Sequence, residues 1–317
     1  MNNLRLKRTA WLAVTLLMVF SFAVAKEKYE EKFEKTVALA KDGKVDIGNI
    51  SGDIVAMSWN EDQVKIEALK VSTAGSLDKA RENAAMVKIE VTQEGNIVKI
   101  ETKYPKGEKF GHEESLNVSV NYKLWIPEKA ALKANSISGD VTAEAIGGAA
   151  ALKAVSGDVR LTKADGGAEC TSVSGDVVAA DVTGNAFLKS VSGDIKVNTI
   201  KGSVEAETVS GGVELLDVSE ASSVRAKALS GEVVYRGRIN PQGSYHFKSH
   251  SGDVELYLPA DAAFDFEAES FSGGIETDFE VKVIGQVSRK ELSGTVNGGG
   301  ATLKVSSFSG DIRLKKT

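Results

Sequence analysis

Acidic side chains recur at a fixed spacing, and they are the residues of this sequence best placed to bind a metal ion. Each is the third residue of a Ser-Gly-Asp triplet, 18 residues from the next: Asp140, Asp158, Asp176 and Asp194. In adjacent levels of a stacked fold, such carboxylates would form a ladder able to share Ca²⁺.

The same carboxylates have an alternative role in the turns, where each would accept hydrogen bonds from backbone N–H groups. A charge-assisted hydrogen bond contributes roughly 1.5–3 kcal/mol. Repulsion between two carboxylates about 4 Å apart in water costs only ~1 kcal/mol. The series is also interrupted at Gly212, Glu232 and Gly274. These magnitudes favour the turn role, and the cation ladder is the second interpretation.

Other chemistry is not supported by residue spacing. The three histidines, His112, His246 and His250, have no further ligands at metal-binding spacing. No Ser/His/Asp or Cys/His arrangement is apparent, so no catalytic or cofactor-binding residue is predicted and no cofactor is expected. The single cysteine, Cys170, is predicted to be a small buried core residue. Aromatic residues of the repeats fall mostly on inward phases, which argues against a sugar-binding platform.

The triplets belong to a repeat that must position them. Ser-Gly occurs at 138, 156, 174, 192 and 210, a step of 18 residues, and returns at 230, 251, 272, 293 and 309. A fixed period of this length indicates stacked units that bury their apolar faces against one another. Stretches such as Val204–Thr208 alternate with period 2, which is typical of strands. Frequent glycine and β-branched residues exclude a helical repeat.

The sequence therefore predicts an all-β protein, a parallel β-solenoid (β-helix) with coils of about 18–21 residues and an N-terminal antiparallel β-rich cap. Ser76 is expected to begin the one short helix of that cap. Lysines after Ile312 are expected to protect the last strand of the stack. The predicted segments are a signal peptide (1–25), a charged lead-in (26–37), the cap (38–135) and the solenoid repeats (136–317).

The first residues have the pattern of an export signal. Arg5, Lys7 and Arg8 precede an apolar run over 9–24, and an Ala-x-Ala cleavage site ends at Ala25. No second long apolar run follows, so no transmembrane segment is expected after cleavage. With 44 acidic and 39 basic residues, the chain is not expected to bind nucleic acid. The expected location is periplasmic, or extracellular at the cell surface.

Repeated "VSGDV" and "VSGDI" turns and the stretch "GKVDIGNISGDIVAMSWNEDQVKIEA" resemble the bacterial putative-adhesin, β-strand-repeat family of exported proteins. The resemblance extends from about Phe33 to the end of the chain. It implies a parallel β-solenoid outside the cytoplasm, in a family without an assigned activity or catalytic residues.

The resulting hypothesis is an exported, non-enzymatic interaction or scaffold protein. It would present a repetitive surface to an unknown protein or glycan of the cell envelope. Two alternatives remain open: a carbohydrate-active enzyme on a β-helix scaffold, for which acidic residues are too frequent to single out a catalytic pair, and a self-assembling solenoid polymer.

Overall fold

The structure, a computed structural model, describes residues 26–105, 116–218, 221–283, 288 and 290–317. The predicted signal peptide and His112 lie outside the described residues. The described chain forms two long sheets, sheet A with 13 strands and sheet B with 14, which enclose one apolar core.

Sheet A contains the strands β1 (Glu27–Ala38), β3 (Ile54–Trp59), β4 (Gln63–Ala74), β7 (Val118–Pro127), β9 (Val141–Ile146), β11 (Val159–Ala164), β13 (Val177–Thr183), β15 (Ile195–Lys201), β17 (Val213–Leu216), β19 (Val233–Arg236), β21 (Val254–Leu258), β23 (Ile275–Thr277) and β27 (Ile312–Lys316).

Sheet B contains β2 (Lys44–Ser51), β5 (Lys88–Glu94), β6 (Ile97–Lys103), β8 (Ala131–Ser138), β10 (Ala150–Ser156), β12 (Ala168–Ser174), β14 (Ala186–Ser192), β16 (Val204–Ser210), β18 (Ser223–Ser230), β20 (Ser244–Ser251), β22 (Phe264–Ser270), β24 (Lys282–Val283), β25 (Glu291–Val296) and β26 (Ala301–Ser309). The helix α1 spans Leu77–Met86, and the Ser76 hydroxyl accepts the Lys79 N–H at its start, as predicted.

Each solenoid coil is a strand of sheet B, a Ser-Gly corner and a strand of sheet A. Successive coils pair in parallel, so residues 18 apart are direct neighbours: Val177 lies between Val159 and Ile195, and all three are fully buried. The predicted β-solenoid is confirmed. Cys170 also occupies its predicted place, buried between Leu152 and Leu188.

The N-terminal end differs from the prediction in two ways. The charged lead-in predicted at residues 26–37 is part of sheet A, because β1 pairs antiparallel with β4 along its whole length. Tyr29, Phe33 and Val37 recur every four residues on one face of this charged strand, which lets it cover the sheet edge.

The predicted cap is also only partly antiparallel. Residues 44–59 already form a regular coil, β2–β3, because the outlying Ser-Gly-Asp at 51–53 makes the same corner as the later triplets. The coil β6–β7 stacks on β2–β3 in parallel, and only β1, β4 and β5 run antiparallel beyond it. The boundary between cap and solenoid therefore does not lie at residue 136.

The C-terminal strand is not the last strand of the stack, which corrects the prediction. The coil β26–β27 inserts between β20–β21 and β22–β23. Gly310 makes a regular corner over Gly252, and the Asp311 N–H donates to Asp253 Oδ1 at 2.9 Å. Ser293, expected at a corner, lies within β25 and pairs antiparallel with Glu267 of β22.

A buried hydroxyl supports most corners from inside. The residue two before the corner serine is Ser or Thr in most coils, and its hydroxyl donates to the corner glycine carbonyl of the preceding coil. Ser190 Oγ, for example, donates to Gly175 O at 2.9 Å. Equivalent bonds are made by Ser172, Thr208, Ser249, Ser270 and Ser307. Ala154 occupies the same position without a hydroxyl.

We expect Ser190→Ala to lower the free energy of unfolding by about 1–2 kcal/mol, because the partly buried Gly175 carbonyl loses a donor. The reverse change, Ala154→Ser, adds a donor toward the Gly139 carbonyl and should stabilise the protein or leave it unchanged. Denaturant unfolding of both variants checks this pair. Equal destabilisation by both changes would show that the hydroxyls only fill space.

Candidate functional site

The structure brings the predicted aspartates into one line along the corner between the sheets. The Oδ1 atom of each accepts the backbone N–H of the corresponding residue one coil further on. The bonds are 2.8 Å from Asp158 to Asp140, 2.9 Å from Asp176 to Asp158, 2.8 Å from Asp194 to Asp176 and 2.8 Å from Gly212 to Asp194. This geometry provides the turn role, with each carboxylate tying its coil to the next.

Arginine side chains supply positive charge to parts of this column. Arg160 lies 2.8 Å from Asp158 and 3.8 Å from Asp140. Near the other end, Arg313 bridges Asp253 at 2.6 Å and Asp311 at 2.7 Å. Within the described ranges, no three His, Cys, Asp or Glu residues are grouped so as to hold a metal ion. Calcium binding by the column remains a prediction.

The Arg313 cluster changes the titration of its carboxylates. Partial burial acts to raise the pKa of Asp253, but the Asp311 N–H and the Arg313 guanidinium outweigh it and lower that pKa. The pKa of Glu255 is lowered first by the Tyr257 hydroxyl, against burial, with Arg313 contributing further. Because the folded-state pKa values lie below those of the unfolded chain, this stabilisation is present above the ordinary carboxyl pKa. It is lost as pH falls from there through the lowered folded-state pKa values.

We expect Arg313→Met to lower stability at neutral pH by about 1 kcal/mol, a value discounted for the solvent exposure of the cluster. When the pH is lowered from neutral to below the ordinary carboxyl pKa, the free energy of unfolding of the variant should also fall by less than that of the parent. Arg160→Met, at the same position of an earlier coil but more exposed, should have the smaller effect. Urea unfolding at a series of pH values checks this, and parallel curves for parent and R313M would contradict it.

A continuous apolar stripe runs along the outside of sheet B, and sequence reasoning missed it. It consists of the residue immediately before each corner serine, and in each coil this side chain faces outward because its predecessor faces the core. Its apolar members are between 37% and 64% exposed. In stacking order the stripe comprises Ile50, Ile137, Val155, Val173, Val191, Val209, Leu229, His250, Phe308 and Phe271.

The signal for the stripe was present in the sequence. The residue before the corner serine is Ile or Val in each regular repeat. Counting back in steps of two from the buried Val177 would place this residue in the core. The count is not valid, because the corner interrupts the alternation of inward and outward side chains. Only the buried Ser or Thr two residues before the corner serine shows that the residue between them faces outward. Val173, for instance, is 45% exposed, whereas Ser172 beside it is buried.

Aromatic rings close one end of the stripe. Phe308 stacks on His250 with ring centroids 4.7 Å apart, and Phe271 stacks on Phe308 at the same distance. Other repeat aromatics, such as Tyr235 and Phe247, are buried in the core as predicted. The exposed stack is therefore an exception to the inward phase expected of the repeat aromatics.

Two shallow grooves lie along the stripe. The first, about 530 Å³, has Ile137, Val155 and Lys153 in its walls. The second, about 400 Å³, is lined by Val209, Leu229 and three lysines, Lys189, Lys227 and Lys248. Glu101 also lines the first groove and Glu207 the second, so each groove has one apolar wall and one wall of charged residues. Such a shallow surface suits an amphipathic partner more than a buried small molecule.

Acidic residues also meet in a smaller depression of about 240 Å³ on sheet B. It contains Glu267 and Glu269 together with His246 and Lys304. Glu267 is ion-paired with Lys304 at 2.8 Å. Burial is the first cause that lowers the pKa of His246, and nearby Arg225 and Lys304 act in the same direction.

Residues 43–315 match the family described as Toastrack DUF4097. The chain belongs to the Toastrack family. The match confirms the family resemblance indicated by the repeated turns, and it extends from β2 into β27 but does not include β1. No curated protein matches this Toastrack chain. Within the part of the chain that the structure describes, no helix is long and apolar enough to cross a membrane.

Solved structures similar to this Toastrack chain share little sequence with it. A putative adhesin from Bacteroides fragilis is 12% identical, covering 90% of this chain and 97% of its own, with a TM-score of 0.38. A putative adhesin from Parabacteroides distasonis is 13% identical, covering 89% and 97%, with a TM-score of 0.38. A putative lipid binding protein from the same organism is 14% identical, covering 89% and 96%, with a TM-score of 0.44. These similarities are too remote to transfer a property to this chain.

Proposed function

We propose that the chain is an exported, non-enzymatic interaction protein that uses the apolar stripe to dock another macromolecule of the cell envelope. The stripe is the observation that carries this proposal. Isolated exposed valines are ordinary on protein surfaces, but a contiguous apolar patch of this length marks an interaction site. Export rests on the signal pattern of residues 1–25.

The stripe is also separate from what holds the fold together. The core is built from inward residues such as Val177 and Leu161, and the corners from glycine, aspartate and buried hydroxyl groups. Stripe side chains contribute little to either. Large apolar side chains recur at this position in successive coils, although Thr or Lys would suit an exposed strand position equally well. Binding explains this recurrence.

The two alternatives receive less support. A carbohydrate-active enzyme needs two carboxylates facing each other across a substrate cleft. Glu267 and Glu269 instead lie on one strand in a shallow depression, and Glu267 is neutralised by Lys304. A polymer would grow by stacking coil on coil, whereas antiparallel strands extend both sheets at the N-terminal end, with β1 and β4 in sheet A and β5 in sheet B. At the other end β25 extends sheet B, and the short strand β23 is the last strand of sheet A.

Retention of a partner from envelope extract tests the proposal. Chain 26–317 is used as bait in Ca²⁺ and in EDTA, beside a variant that carries Val173→Thr, Val191→Thr and Val209→Thr. We expect a protein or glycan retained by the parent in both conditions and lost with the variant. Retention that the threonine changes leave intact would contradict docking on the stripe. Loss of the partner in EDTA alone would assign binding to the aspartate column.

A further inference from the structure

The apolar stripe lies between two columns of charged residues. On its sheet side, two residues before the stripe residue, four coils carry lysine: Lys153, Lys189, Lys227 and Lys248. On its corner side, three residues after the stripe residue, most coils carry the carboxylates of the aspartate column. We call these the lysine column and the carboxylate column.

The two columns are matched coil by coil. Each coil with a lysine has a carboxylate across the stripe: Lys153 with Asp158, Lys189 with Asp194, Lys227 with Glu232, and Lys248 with Asp253. Two coils have glutamate in the lysine column, Glu207 and Glu269. In both, the carboxylate column has glycine instead, at Gly212 and Gly274. Like charges therefore never face each other across the stripe. The two glycines of the carboxylate column fall where an acid would meet a glutamate, and the third departure from aspartate, Glu232, keeps the negative charge opposite Lys227.

The matched charges suit the docking of a second copy of the chain on the stripe. If a second copy lies on the stripe with its two-fold axis parallel to the stripe, each stripe residue meets its own counterpart. The lysine column of one copy then faces the carboxylate column of the other at the same level. With the axis perpendicular to the stripe, the lysine columns would face each other instead. Charge complementarity thus selects the parallel arrangement.

Spacing and area also suit a second copy. Two identical stacks repeat at the same interval of about 4.8 Å, so contacts stay in register over all ten stripe positions. The strip from lysine column to carboxylate column is about 43 Å long. It is at most about 17 Å wide, because the chain turns at the corner between the two columns. Its area is therefore at most roughly 700 Å² per partner, within the range of a standard protein interface.

We infer that the apolar stripe joins two copies of this chain in a parallel, in-register dimer whose two-fold axis runs along the stripe. The inference rests on the proposed function, because it names the macromolecule that docks on the stripe. Lys189 and Lys248 form no ion pair among the described residues and are free to pair with Asp194 and Asp253 of the second copy.

Single cysteines on the stripe test the arrangement. Val155 and Leu229 lie four coils apart, and in the inferred dimer each meets its own counterpart. We expect V155C alone and L229C alone each to give a disulfide-linked dimer on mild oxidation. The native Cys170 does not interfere, because burial raises the pKa of its thiol to about 12. Thr162→Cys, exposed on sheet A, is the control that should remain uncrosslinked.

Sedimentation equilibrium of the parent and of a variant with Lys189→Glu and Lys248→Glu measures the charge contribution. We expect a dimeric parent, and a dissociation constant raised at least tenfold by the two reversals. Lys196→Glu, on the outer face of sheet A, should leave it unchanged. Crosslinks that form only when V155C and L229C are mixed would overturn the parallel arrangement.

The outcomes separate this inference from the proposed function. A monomeric parent that still retains an envelope partner through the stripe would overturn the dimer and leave the proposed function standing. A monomer whose retention does not depend on the stripe would overturn both. A dimer with both self-crosslinks supports the inference, whatever else the extract contains.

Discussion

Val177→Asp should unfold the middle of the stack. Val177 is fully buried between Val159 and Ile195, and the variant places a carboxylate there without a partner. An uncompensated buried charge costs roughly 3–5 kcal/mol, and loss of the buried valine adds about 1.5–3 kcal/mol. That sum is comparable to the whole stability of a typical domain. Because each coil is held by its neighbours, the damage should spread to the adjacent coils.

The neighbouring position provides a matched control. Val178 lies in the same strand but faces outward, between Arg160 and Lys196 of the adjacent coils. Val178→Asp therefore introduces the same carboxylate beside two cations and should change the free energy of unfolding by less than about 1 kcal/mol. Circular dichroism melting of both variants measures the difference. A V177D protein that melts with the parent would be incompatible with a buried valine column.

Gly211→Ala is the second change with a large expected effect. Gly211 has φ of 146°, which side-chain-bearing residues rarely adopt, and an added Cβ would lie 2.2 Å from the Gly193 carbonyl oxygen. That carbonyl is fixed, because it also accepts the Thr208 hydroxyl at 3.0 Å. Backbone strain and overpacking together should cost roughly 3–5 kcal/mol.

Gly48→Ala is the control for this prediction. Gly48 lies in β2, its φ is not in the left-handed region, and an added Cβ meets no atom within 4 Å. Replacement there should be neutral or stabilise by about 0.4–1 kcal/mol, because alanine restricts the unfolded chain. Thermal unfolding of G211A and G48A separates the two cases, and a similar small shift for both would show that the corners do not require glycine.

The regular coils were predictable because each carries its own local signal. The 18-residue period and the alternation of apolar residues are enough to place Val159, Val177 and Ile195 in one column. The order of coils at the two ends was not predictable in the same way. Insertion of β26–β27 between earlier coils depends on which corner stacks on which, and the Ser-Gly corners are chemically alike.

The candidate site was predictable only in part. The aspartates fall where the triplets place them, and their hydrogen bonds follow from stacking. Exposure of the stripe depends on the phase of residues beside a corner, which alternation alone does not fix. The aromatic stack depends on the unexpected coil order, since Phe308 meets Phe271 only because β26 pairs with β22.

If the apolar stripe serves binding and not stability, removing its apolar surface should leave the folded monomer as stable as before. Urea unfolding of the variant with Val173→Thr, Val191→Thr and Val209→Thr, at protein concentrations where sedimentation shows both parent and variant to be monomeric, tests this, because threonine keeps the β-branched shape and replaces one methyl group with a hydroxyl. We expect a free energy of unfolding within about 1 kcal/mol of the parent, since these side chains are solvent-exposed in the monomer. A loss of several kcal/mol would mean that the stripe holds the coils together, and would contradict its assignment as a docking surface.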